Sequence, residues 1–176
     1  MPKFTWGATA LTLDALNELD QAAFTRAIGG VFEHSPWVAE RVWSQRPFCD
    51  IDSLHLAMAC QVEHASPDEQ LTLLLAHPDL GTRTQLSTAS ASEQTGAGLH
   101  QLTEEEGARL TRLNESYKQK FGFPFLLAVK GSTKHEILRA LEQRLPSTHE
   151  MEFAEALRQV YRIAAFRLHD VLGQES

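Results

Sequence analysis

Apolar residues along this chain recur three and four apart, and the runs are set off by residues that start or stop helices. Residues 12–28 carry Leu13, Leu16, Leu19, Phe24 and Ile28 and end at Gly29-Gly30, which predicts one helix. Ser35-Pro36 predicts a second start, with Trp37, Val38, Val42 and Trp43 following before Pro47. Residues 53–65 repeat the pattern with Leu54, Leu56, Met58 and Val62. Ser66 with Glu69 forms a capping box around Pro67, and the apolar run LTLLLA follows. Thr103 with Glu106 opens a helix bearing Leu110, Leu113, Tyr117 and Phe121, with Gly122 as its terminator. Thr133 with Glu136 opens the next, which carries Ile137, Leu138, Leu141 and Leu145 up to Pro146. Ser147 with Glu150 opens the last, along which Phe153, Leu157, Val160, Tyr161, Ala164, Leu168 and Val171 form a stripe.

No sustained period-two alternation and no Asn-Gly or Asp-Gly hairpin turn interrupts this series. PFLLAV at 124–129 reads as a short buried strand or as a helix, and its period does not decide between them. The expected fold is therefore all-α, a single compact domain of about eight helices spanning 1–176. One stretch departs from the pattern. Residues 77–100 are rich in small and polar residues, and such an excursion inside a helical domain is usually functional or disordered.

Composition narrows the class. The 176 residues are 43% hydrophobic and 22% charged, which excludes a disordered chain. A net charge of −7 argues against a nucleic-acid partner, and no apolar window is long enough to span a membrane. The start MPKFTWGATAL lacks the apolar core of a secretory signal. Cys49 and Cys60 fit neither a disulfide framework nor a zinc site and are expected to be buried free thiols, in a cytoplasmic protein.

The candidate chemistry is sparse. His77 follows an apolar helix and precedes Pro78, which should end that helix near His77 and hold the imidazole on a rigid turn. It could exchange protons near neutral pH, or merely bond the last carbonyls of its helix. No HxxxH or HExxH spacing supports a metal site. Ser90 and Glu93 read as a capping box at a helix start, or as a carboxylate that positions a substrate or orients His77. Arg167 sits on the margin of the last apolar stripe. Its guanidinium could reach water, or could hold a carboxylate, urea or imide edge in a pocket. FGFPF at 121–125 reads as core packing or as a segment with spare backbone groups for a planar amide-like ligand.

In this order stand FEHSPWVAERV at 32–42, HPDLG at 77–81, SxxEQ at 90–94, AGL at 97–99, LNxxY at 113–117, KFGFPFLLAVKG at 120–131 and RxxxxRL at 162–168. The set resembles the 2-oxo-4-hydroxy-4-carboxy-5-ureidoimidazoline (OHCU) decarboxylase family across about residues 11–172. The resemblance implies an all-helical, cofactor-free and metal-free enzyme, typically a homodimer, that converts OHCU to (S)-allantoin and CO2 in the third step of urate breakdown. It implies catalytic roles for His77, Glu93 and Arg167. It also implies substrate contacts from Pro78, Ser90, Gln94 and the segment Phe125, Leu126, Leu127, Ala128 and Val129. Two departures stand out. The stretch between HPDL and SxxEQ is short, and the chain ends in GQES rather than a Ser-Lys-Leu address, consistent with a bacterial-type cytoplasmic enzyme.

Because that substrate is an anion and the chain is acidic, favourable electrostatics are expected locally, from Arg167, His77 and the helix start near Ser90. Two other classes remain open on the residues alone: a hydrolase of a related ureide, with or without a metal, and a non-enzymatic helical interaction module. Whether His77, Glu93 and Arg167 share one pocket separates the enzyme from the module.

Overall fold

The computed structural model describes residues 10–81 and 87–173. Helices α1 (Leu13–Asn17), α2 (Gln21–Ile28) and α3 (Trp37–Val42) lead to α4 (Ile51–Glu63) and α5 (Pro67–Leu75). Then come α6 (Thr88–Gly96), α7 (Glu104–Phe121), α8 (Lys134–Arg144) and the long α9 (His149–Leu172). Short 3₁₀ turns at Trp43–Gln45 and Leu99–Gln101 complete the set, and no strand occurs among the described residues. The all-α expectation holds.

Several boundaries follow the caps read from the sequence. Ser66/Glu69, Thr103/Glu106 and Thr133/Glu136 all form reciprocal capping boxes. Gly122 closes α7 at φ 80°, a conformation that costs a residue with a Cβ. Elsewhere the structure corrects the expectation. The single helix over 12–28 is two, because the Asp20 carboxylate accepts from Ala23 N–H and begins a new helix there. Asp50 likewise starts α4 earlier than expected, at Ile51, and Thr148 rather than Ser147 caps α9. Ser35 does not cap α3 through its side chain; its hydroxyl turns back to donate to the Glu33 carbonyl.

The 124–129 segment is neither strand nor helix, and the polar excursion after His77 contains α6. Cys49 and Cys60 are exposed, not buried. On α4 the inward positions are Leu54, Met58 and Val62, one turn apart, which leaves Cys60 on the opposite face.

Helix α9 organises the interior, packing against α4, α5 and α7. Its buried face carries Ala156, Val160, Ala164, Leu168 and Leu172, with Glu152, Gln159 and Arg167 buried among them. Three polar side chains inside an apolar stripe are costly unless each is bonded. All three are, and their partners define the site.

Candidate active site

The turn after α5 presents His77. Its helix ends at the Ala76 cap, as the following proline requires, and the imidazole is 7% exposed. Nδ1 lies 2.9 Å from the Leu73 carbonyl, which can only accept, so Nδ1 carries the hydrogen and Nε2 keeps its lone pair. Burial pulls the imidazole pKa down to about 4, against the opposing pull of the Leu73 carbonyl and the Glu33 charge. His77 is therefore neutral near pH 7; its bond to a late carbonyl of its own helix is one of the two arrangements expected of it, and it also fixes the tautomer.

The rest of the HPDLG turn is held from two sides. Gln94 Oε1 accepts from Gly81 N–H at 2.9 Å, and Asn114 Nδ2 donates to the Leu80 carbonyl at 2.9 Å. Gln94 and Ser90 lie one turn apart on the inward face of α6, so that short helix buries polar groups. Ser87, not Ser90, caps α6, and its hydroxyl accepts the Ser90 N–H at 3.1 Å. The expected Ser90–Glu93 capping box is therefore absent, since Ser90 is already inside the helix. Its N–H is spent and is not available to an anionic ligand.

Glu93 is turned instead toward α9. Arg167 Nε and Nη2 donate to its two carboxylate oxygens at 2.7 and 3.1 Å. Arg167 Nη1 donates to Glu33 Oε2 at 2.8 Å, and Nη2 also reaches Ser90 Oγ at 3.2 Å. Ser90 Oγ in turn donates to Glu33 Oε2 at 3.0 Å. Burial disfavours the charges of Glu33 and Arg167, but their mutual pairing and hydrogen bonds outweigh it. The Glu33 carboxyl is held below its usual range and the guanidinium pKa is raised.

This corrects the expected local electrostatics. Two carboxylates flank one guanidinium beside a neutral imidazole, so the cluster carries an excess negative charge rather than a positive one.

One cavity is lined by His77, Pro78, Leu80, Ser90, Glu93, Gln94, Phe125, Leu126, Leu127, Val129, Ile163 and Arg167. Every site residue expected from the sequence lines it except Ala128, whose N–H is taken by Gln159 Oε1 at 3.0 Å. The cavity is narrow, about 30 Å³, room for about two waters. A wider cleft of about 520 Å³ beyond Leu80 is lined by Asp79, Glu104, Glu115 and Lys118 among others. No histidine and no buried charge network line it.

Glu33, Gln159 and Ile163 join the site beyond the residues expected from the sequence. Glu33 carries a sequence signal, since it stands in the FEHSPW motif. Gln159 has no such signal; its burial depends on the 124–129 segment packing against α9.

No group of three or more His, Cys, Asp or Glu with metal-site geometry occurs among the described residues. A neutral histidine, a carboxylate clamped by arginine and the segment after FGFP thus share one cavity in an all-helical scaffold. The chain belongs to the OHCU decarboxylase family, whose model matches residues 17–169. It is 46% identical to a 2-oxo-4-hydroxy-4-carboxy-5-ureidoimidazoline decarboxylase from Halalkalicoccus jeotgali, covering 93% of each chain. It is 45% identical over 93% of its length to a uric acid degradation bifunctional protein from a Bacillus species, and spans 33% of that longer protein. A crystal structure of (S)-allantoin synthase superposes with a TM-score of 0.77 at 36% identity, over 92% of this chain and 54% of that one.

Proposed function

We propose that this chain decarboxylates OHCU to (S)-allantoin and CO2 without a cofactor, with His77 moving the proton and Glu93 and Arg167 fixing the substrate. The observation that carries this reading is the neutral His77 with its lone pair on Nε2, sharing one cavity with the Arg167-clamped Glu93. In OHCU the carboxylate sits on a carbon that also bears a hydroxyl and adjoins a C=N bond. When the bond to CO2 breaks, its electron pair moves toward that C=N, so the ring itself is the electron sink. The hydroxyl must then lose a proton and the neighbouring carbon must gain one, while the ring nitrogen that received the pair takes a proton from solvent. A neutral imidazole can do both in turn, taking the hydroxyl proton on Nε2 and returning it to one face of the carbon.

Glu93, oriented by Arg167, accepts from ring or ureido N–H groups. With the cluster already negative, the substrate carboxylate is best placed away from Glu93; as CO2 leaves, its charge passes into the ring, which the N–H donors around it must accommodate. Apolar surface from Pro78, Leu80 and Ile163 lines the same cavity. The enzyme acts as a cytoplasmic homodimer, on the same family reasoning; among the described residues no helix is long and apolar enough to cross a membrane.

The test generates OHCU from urate with the two preceding enzyme activities, adds this protein and follows circular dichroism. A faster decay with a growing (S)-allantoin signal is expected. Racemic product at the spontaneous rate refutes the reading, and sedimentation at the monomer mass refutes the dimer.

A further inference from the structure

The LNxxY tyrosine and two buried polar residues of α9 take no part in the reading above, yet they meet behind the segment that follows FGFP. Residues 124–129 form neither helix nor strand, so their peptide groups need other partners. Side chains supply two. Arg144, at the end of α8, donates from Nη1 to the Leu126 carbonyl at 2.6 Å. Gln159 of α9 accepts the Ala128 N–H on Oε1 at 3.0 Å.

Both side chains are themselves locked. Glu152 Oε2 accepts from Arg144 Nε and Nη2 at 3.0 and 2.8 Å, and the buried Tyr117 hydroxyl donates to the same oxygen. The Arg144 guanidinium also lies over the Phe125 ring, 4.5 Å from its centroid. Gln159 Nε2 donates to Glu155 Oε1 at 2.7 Å, which settles the end of the amide that faces Ala128.

The consequence follows from the planar trans peptide, in which C=O and N–H point in opposite directions. Pinning the Leu126 carbonyl to Arg144 aims the Leu127 N–H the other way. Pinning the Ala128 N–H to Gln159 does the same for the Leu127 carbonyl. Leu127 lines the cavity, and neither of its backbone groups has a partner among the described residues. We infer that Arg144 and Gln159 are positioning residues that present the Leu127 N–H and C=O as a donor–acceptor pair for the amide or ureido edge of the substrate. This rests on the function proposed above and names what sets the orientation of the ring, and hence the face that receives the proton.

Gln159→Met keeps length and burial but removes the acceptor for Ala128. Arg144→Lys keeps the charge opposite Glu152 but cannot hold both Glu152 and the Leu126 carbonyl with one fork. Each variant is compared with wild type for KM, kcat and enantiomeric excess, at enzyme concentrations that make spontaneous decay negligible. KM is expected to rise about tenfold, the loss of one hydrogen bond, with a smaller change in kcat. Enantiomeric excess is expected to fall, which a merely structural role would not cause in a folded variant. Unchanged KM and enantiomeric excess in folded variants of an active wild type overturn the proposal alone. An inactive wild type overturns the functional reading with it. If Gln159→Met does not fold, Arg144→Lys decides.

Discussion

Glu33 and Arg167 stand 134 residues apart in the chain and meet at 2.8 Å, both almost wholly buried. The same Glu33 oxygen takes the Ser90 hydroxyl, so one carboxylate fixes the two residues that flank Glu93 in space. A fork held at one end by Glu33 can present its other edge to Glu93 in only one geometry. Glu33→Gln preserves the shape but weakens both hydrogen bonds by removing the charge. It should lower kcat about ten- to a hundredfold with the helices intact, as far-UV circular dichroism will show. Retention of wild-type kcat in Glu33→Gln would mean that Arg167 orients Glu93 unaided.

Protonation of His77 should set the acid limit of activity. Its folded pKa is about 4, whereas an unfolded imidazole takes up its proton near 6.5. Between these values the unfolded chain binds more protons than the folded one, so stability rises with pH across that window and is lost as pH falls through it. Turnover should stay level from neutrality toward about 5 and fall as His77 protonates near 4. Nitrogen-detected NMR should find hydrogen on Nδ1 and none on Nε2 at pH 7. An imidazolium at that pH would reverse the assigned role, and His77→Asn should cost about 10²–10⁴ in rate.

Much of this architecture is written locally. Capping boxes at Ser66, Thr103 and Thr133 act over three residues, so spacing alone reveals them. Histidine before proline places His77 at a helix end for the same reason. The misses are tertiary. Glu93 sits at the capping-box position relative to Ser90, but Ser87 begins the helix earlier and Arg167 claims the carboxylate from 74 residues away. Local spacing cannot rank those competing partners. Gln159 and Glu152 look like solvent-facing residues until α8 and the 124–129 segment are packed against α9. The sign of the local field was equally hidden, because it depends on Glu33 arriving beside Arg167.

Arg167→Lys tests whether the fork or the charge matters. A lysine ammonium keeps the charge between Glu33 and Glu93 but cannot span both carboxylates and Ser90 with fixed geometry. Stability should fall by about 1–3 kcal/mol in urea unfolding, the range for a charged hydrogen bond lost in a buried site. Activity should fall more steeply than stability, about a hundredfold in kcat/KM, because Glu93 loses its two-point clamp. Wild-type kinetics would reduce Arg167 to a counter-charge.

Two glycines with nearly the same backbone separate strain from crowding. Gly81 and Gly98 have φ of 81° and 78°, where a Cβ costs about 1–2 kcal/mol. Around Gly98 the space for a Cβ is open, whereas at Gly81 it would lie 2.6 Å from Leu110 Cδ2. Leu110 is 2% exposed and its methyl must shift to make room. Gly98→Ala should therefore show the backbone cost alone, a fall in Tm of about 2–8 °C for a chain of this size. Gly81→Ala should fall further. It should also lose activity, because Gly81 N–H is the contact through which Gln94 holds the HPDLG turn and, with it, His77. Equal Tm losses in the two variants would mean that Leu110 gives way freely. Full activity in Gly81→Ala would mean that the turn does not set the imidazole.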